Sequence, residues 1–163
     1  MSALERLLEN SRAYARDFAK GDLAAAPAKR VAVLACMDAR LDPARLLGLE
    51  EGDAHVIRNA GGAVTEDAIR SLAISQHRLG TEEIVLIHHT DCGMQGATDD
   101  ELADELERAC GERPPWPLRA FADLDEHVRD SIRALRESPF IPDTATVRGF
   151  VYDVKSGELR EVE

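Results

Sequence analysis

The 163-residue sequence predicts an α/β domain: a central, mostly parallel β-sheet flanked by helices, with a C-terminal β-hairpin. Three observations carry that prediction. Two short, unbroken apolar runs, RVAVLAC at 30–36 and EEIVLIHH at 82–89, lack the alternation of a half-buried strand and read as strands covered on both faces. Around them lie segments with helical periodicity and explicit caps, so that strand and helix alternate. The stretch TATVRGFVYDVKSGELREV, at 144–162, reads as two strands joined by a turn containing Gly157. A chain of this length buries about 70% of the surface its unfolded form exposes. Residues 1–163 are therefore read as one domain that needs neither disulfide nor metal merely to fold.

The elements follow in order. Ser2 and Glu5 form a capping box, and Leu4, Leu7, Leu8, Ser11, Tyr14, Ala15 and Phe18 recur at helical spacing, giving an amphipathic helix within residues 1–20. Gly21 and Pro27 in KGDLAAAPAK break it and mark a linker. After the first strand, LDPARLLGL offers Asp42 as N-cap and Pro43 at the first helical position, and AHVIRN at 54–59 is the next strand. Thr65, Glu66 and Asp67 open a helix with Ile69, Leu72, Ala73 and Leu79 on one face, stopped by Gly80. A second capping box, Thr98 with Glu101, starts a helix whose apolar face is Leu102, Leu106 and Ala109 and whose stop is Gly111. ERPPWPL, at 112–118, is a rigid loop, and a helix from Asp123 to Ser138 carries Val128, Ile132 and Leu135.

Composition excludes several classes. With 31 acidic against 20 basic residues the formal charge is −11, and no basic stripe is present, so nucleic acid is not an expected partner. No run approaches the ~20 apolar residues of a membrane span. Charges throughout the first twenty residues do not fit a signal peptide, and the cytoplasm is the expected location. The three cysteines, Cys36, Cys92 and Cys110, are an odd set without a disulfide pattern, so they are read as reduced.

The chemistry concentrates at two strand ends. VLACMDAR, at 33–40, sets Cys36, Asp38 and Arg40 where the first apolar run stops, and LIHHTDCGM ends the later one with His89 and Cys92 in an H-x-x-C arrangement. Ligands of open α/β sheets bind beyond such carboxyl ends. Two thiolates and an imidazole are zinc's preferred donors, and three protein ligands leave a fourth position open for chemistry. Cys36 lies 56 residues from Cys92, so convergence depends on the strands being neighbours. A phosphatase-type C-x5-R cradle fails because position 42 is Asp42. A redox disulfide between Cys36 and Cys92 lacks a supporting second motif. Cys110 has no ligand partner nearby, and His55, His77 and His127 read as structural or solvated. His88 and His89 are adjacent, so a strand would point only one of them at the metal; alternation alone does not choose.

In the order and spacing of C-x-D-x-R (Cys36, Asp38, Arg40) and H-x-x-C (His89, Cys92), the sequence resembles the β-class carbonic anhydrases. The similarity extends through EGDAHVIRNAGG and DCGM, spanning roughly residues 30–100. The resemblance implies a parallel-sheet fold, one zinc ion per chain on Cys36, His89 and Cys92, and reversible hydration of carbon dioxide by attack of zinc-bound hydroxide. It also implies a homodimer or higher homo-oligomer in which the N-terminal helix packs on a partner subunit. Asp38 would accept a hydrogen bond from the zinc-bound water and Arg40 would hold Asp38. In a closed state Asp38 would itself be the fourth ligand. The segment NAGGAV, with Gly61 and Gly62, either admits a small apolar substrate between walls at Ile57 and Val64 or serves only a tight turn. Carbonyl sulfide or carbon disulfide as substrate, and a permanently closed, noncatalytic zinc site, are the rival readings.

Overall fold

The computed structural model describes residues 2–142 and 145–163. Five strands form one sheet in the order β2-β1-β3-β4-β5, with β1 Val31–Cys36, β2 Ala54–Asn59, β3 Glu83–His89, β4 Thr146–Tyr152 and β5 Leu159–Val162. The pairs β1–β2, β1–β3 and β3–β4 are parallel, and β4–β5 is antiparallel. The expected mostly parallel sheet with a C-terminal hairpin is thus present; Thr144, which opened the predicted hairpin stretch, lies outside the described residues.

The strand burial explains the apolar runs. Every residue of β1 after Val31 is buried, as are five of the seven residues of β3, because the sheet centre is covered on both faces. On one face Ala32, Leu34, Ile84 and Leu86 pack with Ala68 and Leu72 of α3 (Glu66–Leu79) and with Leu135 of α5 (Leu124–Arg136). On the other, Val33, Ala35 and Ile87 meet Leu41 and Phe121. The edge strand β2 is only partly covered.

The helix caps form as the residue types dictate. Ser2 and Thr98 complete capping boxes at α1 (Ala3–Arg16) and α4 (Asp99–Cys110), Asp42 caps the short α2 (Pro43–Leu47), and Gly80 and Gly111 stop α3 and α4 in the left-handed region. Two helices depart from the simple amphipathic expectation. Helix α1 buries none of its residues, and its apolar stripe faces outward. Helix α4 buries only Ala103; Leu106 stays 39% exposed because its face borders an open groove rather than the sheet.

Helix α5 lies so close to β4 that a Cβ at Gly149 would press on Val128 and come within 2.9 Å of Ile132 Cδ1. Glycine here permits close packing rather than an unusual backbone. Gly149→Ala is expected to cost about 1–3 kcal/mol by overpacking, read as a lower urea midpoint. Gly21→Ala, where an added Cβ meets nothing within 4 Å, should stay within about 0.5 kcal/mol of the parent.

Candidate metal centre

The strand order reverses between β1 and β3, the position at which open α/β sheets bind ligands beyond the strands' carboxyl ends. Cys36 is the last residue of β1 and His89 the last of β3; Cys92 follows in the next turn. The ligand atoms of the three lie within 4.8 Å of one another, and all three residues are buried. Donors about 2.0–2.3 Å from a shared tetrahedral zinc fall inside that separation. His89 Nδ1–H donates to the Thr90 carbonyl at 2.9 Å, which leaves Nε2 with its lone pair free. That Nε2 is buried with no hydrogen-bond partner among the described residues, an orphan that a cation would satisfy. The donor set, the spacing and the orphaned nitrogen all fit zinc.

His88 points to the opposite face. Its ring meets His127 edge-on at 4.6 Å, and His127 stacks on Phe121 at 4.1 Å. Burial, reinforced by His127, pushes the His88 pKa down to about 3, so it stays neutral. Cys36 is pulled down to about 4 by the hydrogen bond from Cys92, against burial and with help from His89; the same contact and burial push Cys92 up. Burial depresses His89, but the neighbouring Cys36 and the bond to the Thr90 carbonyl raise it on balance.

Asp38 stands beside this cluster, with Oδ2 3.8 Å from His89 Nε2. Arg40 grips it as a fork: Nε donates to Oδ1 at 2.9 Å and Nη2 to Oδ2 at 2.8 Å, while the Arg40 backbone N–H adds a bond to Oδ1 at 2.8 Å. The Arg40 side chain, followed by its backbone N–H, holds the Asp38 carboxyl well below the usual carboxylate range. Arg40 reaches on to Asp91 through Nη1.

The segment from Cys36 to Leu41 is held from the neighbouring strand β2 by a residue outside the two motifs. Arg58 donates to the carbonyls of Cys36 (3.0 and 2.9 Å), Asp38 (2.7 Å) and Leu41 (2.7 Å). Asn59, paired with Cys36 in the sheet, closes the following turn by accepting from the Ala63 N–H and donating to its carbonyl, both at 2.8 Å. Gly62, at φ 64°, lies so near β1 that a Cβ would stand 3.0 Å from the Cys36 nitrogen. Of the proposed pocket residues, Ile57 lines a groove of about 670 Å³ together with Asn59, Ala60, Met94, Leu106 and Trp116. Gly61 is buried against Met94 and Phe121, Gly62 under Cys36, and Val64 packs into the core beside α3. Cys110 is exposed and apart from the cluster.

A family model described as carbonic anhydrase matches residues 31–116, which contain all five motif residues. The β-carbonic anhydrase 1 of Mycobacterium tuberculosis is 51% identical over 99% of both chains. The chain belongs to the β-carbonic anhydrase family. A crystal structure of the carbonic anhydrase of Streptococcus mutans, 44% identical, superposes with a TM-score of 0.94 over 100% of this chain and 99% of the other. A carbon disulfide hydrolase of Acidithiobacillus thiooxidans is 37% identical over 81% of this chain and 76% of its own. β-Carbonic anhydrases are zinc enzymes, and Cys36, His89 and Cys92 suit that ion.

Because Cys92 sits above its ordinary range, the metal-free chain carries a thiol proton there that zinc must displace. Zinc uptake by chelator-stripped protein should release at least one proton near neutral pH, from Cys92 and from the protonated fraction of His89, and zinc retention should fall as pH drops. Calorimetry in buffers of different ionisation enthalpy measures the first, and metal analysis after acid dialysis the second.

Proposed function

We propose that the chain catalyses the zinc-dependent, reversible hydration of carbon dioxide to bicarbonate and a proton. The observation that carries this reading is the carboxylate of Asp38, set beside the Cys36–His89–Cys92 cluster and gripped through both oxygens by Arg40. A purely structural metal site needs no such restrained carboxylate. Zinc, when bound, makes a water molecule nucleophilic near neutral pH, and two thiolate ligands offset its charge so that this requires a higher pH than the ≈ 7 of a three-histidine site.

The remaining work falls to the side chains. Asp38 stays ionised across the working range, so it is an acceptor only: it takes a hydrogen bond from the attacking water and orients the lone pair that water presents to the substrate. Its low pKa makes it a poor proton carrier, so it aligns rather than deprotonates. Arg40 fixes that orientation by the two-point fork and keeps Asp38 from becoming a metal ligand itself. The apolar part of the groove, with Ile57, Ala60 and Met94, suits an uncharged, linear substrate. His88, buried and held neutral, does not suit the role of carrying the released proton away.

The same reading assigns a homodimer as the smallest unit. Leu4 and Leu7 are 65% and 64% exposed, Leu8 and Tyr14 continue the uncovered stripe of α1, and Phe18, expected on the same helix, is exposed just past its end. The occupant assigned to that stripe is a second copy of the chain, which makes α1 an exchanged arm of a single-domain protein. Among the described residues no helix is long and apolar enough to cross a membrane, and the acidic surface disfavours nucleic acid; we assign a cytoplasmic location.

Stopped-flow hydration of carbon dioxide across pH 7–9, on protein of measured zinc content, is expected to show turnover rising with pH. A profile already flat at and below pH 7 contradicts the two-thiolate argument, and fully loaded, inert protein contradicts the activity. Carbon disulfide, assayed in parallel, is expected to be the poorer substrate; the reverse order would move the chain to the other activity named among its relatives. Deleting residues 1–20 should convert the dimer to monomer in sedimentation, whereas an unchanged dimer removes α1 from the interface.

A further inference from the structure

The fork on Asp38 poses a problem of its own. Arg40 has a long side chain that is 46% exposed, and an exposed ion pair normally leaves such a chain free to leave its partner. In this protein the guanidinium is held from the far side as well. Nη1 donates to Asp91 Oδ2 at 2.7 Å, and Nη2, while bonded to Asp38, also donates to the Asp91 carbonyl oxygen at 2.9 Å. Asp91 thus contacts the guanidinium twice, with backbone and side chain. Its backbone lies in the left-handed region at φ 56°, a conformation Asp tolerates better than most residues. It sits within the H-x-x-C turn, between His89 and Cys92, so the turn that delivers Cys92 also delivers the anchor of Arg40. The Asp91 carboxylate is turned to Arg40 and is not part of the Cys36–His89–Cys92 cluster.

We propose that Asp91 is a positioning residue: it pins the Arg40 guanidinium against Asp38, and thereby sets how much of the time Asp38 is held back from the metal position. The proposal rests on the reaction assigned above, and it makes three side chains, rather than a pair, the unit that keeps the site open. It also gives the position between the two later ligands a role of its own.

Two variants separate the side chain from the backbone. Asp91→Gly keeps the left-handed conformation without strain and removes the carboxylate; Asp91→Asn keeps an acceptor oxygen. In the zinc-loaded protein, Asp91→Gly is expected to lower kcat about three- to five-fold, the scale of an exposed ion pair, with KM and zinc content unchanged. Asp91→Asn should recover part of the loss. Arg40→Ala marks the limit, about 10–100-fold. The visible bands of the cobalt(II)-substituted protein supply a readout independent of turnover: those of Asp91→Gly should move toward those of Arg40→Ala, as a carboxylate enters the coordination sphere. Asp125→Ala, which removes another exposed two-point arginine pair, to Arg160, should change neither. Parental kcat and cobalt bands in Asp91→Gly would overturn the proposal, as would an equal change in Asp125→Ala. Zinc-loaded parent protein without carbon dioxide turnover would overturn the reaction instead, and the cobalt bands would still decide the role of Asp91.

Discussion

The site depends on the parallel pairing of β1 with β3. Cys36 and His89 are 53 positions apart in sequence, yet the register that sets Ala35 opposite Ile87 brings the two strands' ends level, so both ligands emerge at one edge. Parallel strands require a crossover, and the chain makes two excursions to satisfy this: through α2 to β2 on one side, then back through α3 to β3 on the other. The gap where those excursions part is the gap in which the ligands meet. A slip of one residue in β3 would turn His89 away and present His88 in its place.

Much of this frame could be read from the chain, and the reasons are particular. RVAVLAC and EEIVLIHH are unbroken apolar runs because both faces of β1 and β3 are covered, and that same double burial removes the clue that would distinguish His88 from His89. Both imidazoles are almost fully buried; they differ in what they face, a ring stack on one side and two thiols on the other. The family resemblance made that choice where periodicity could not. Capping residues were legible at nearly every helix because a cap is a local contact between a side chain and an N–H three positions on.

Arg58 and Asp91 were not legible, for a common physical reason. Each acts on groups that exist as a set only after the chain has folded: Arg58 on three carbonyls of a turn contributed by another strand's end, Asp91 on a guanidinium 51 positions away. In sequence, Arg58 is one of three polar residues in AHVIRN and Asp91 one residue of LIHHTDCGM. The outward stripe of α1 and the half-covered face of α4 illustrate a related limit, since periodicity states that a face is apolar and leaves open what covers it.

The way Arg58 ties down the Cys36–Leu41 segment bears on how the protein lives with its metal. Carbonyls at three points of that segment are fixed by one guanidinium, Asn59 closes the neighbouring turn, and Gly62 is wedged against the first ligand's backbone. None of these contacts involves an ion. These ties belong to the fold, so the part of the ordering cost they cover is met during folding and does not have to be recovered from ligation. In small zinc modules ligation and folding are one event. Here the segment is tied by protein groups, so loss of the ion would leave those ties in place, and metal supply would bear on activity more than on folding.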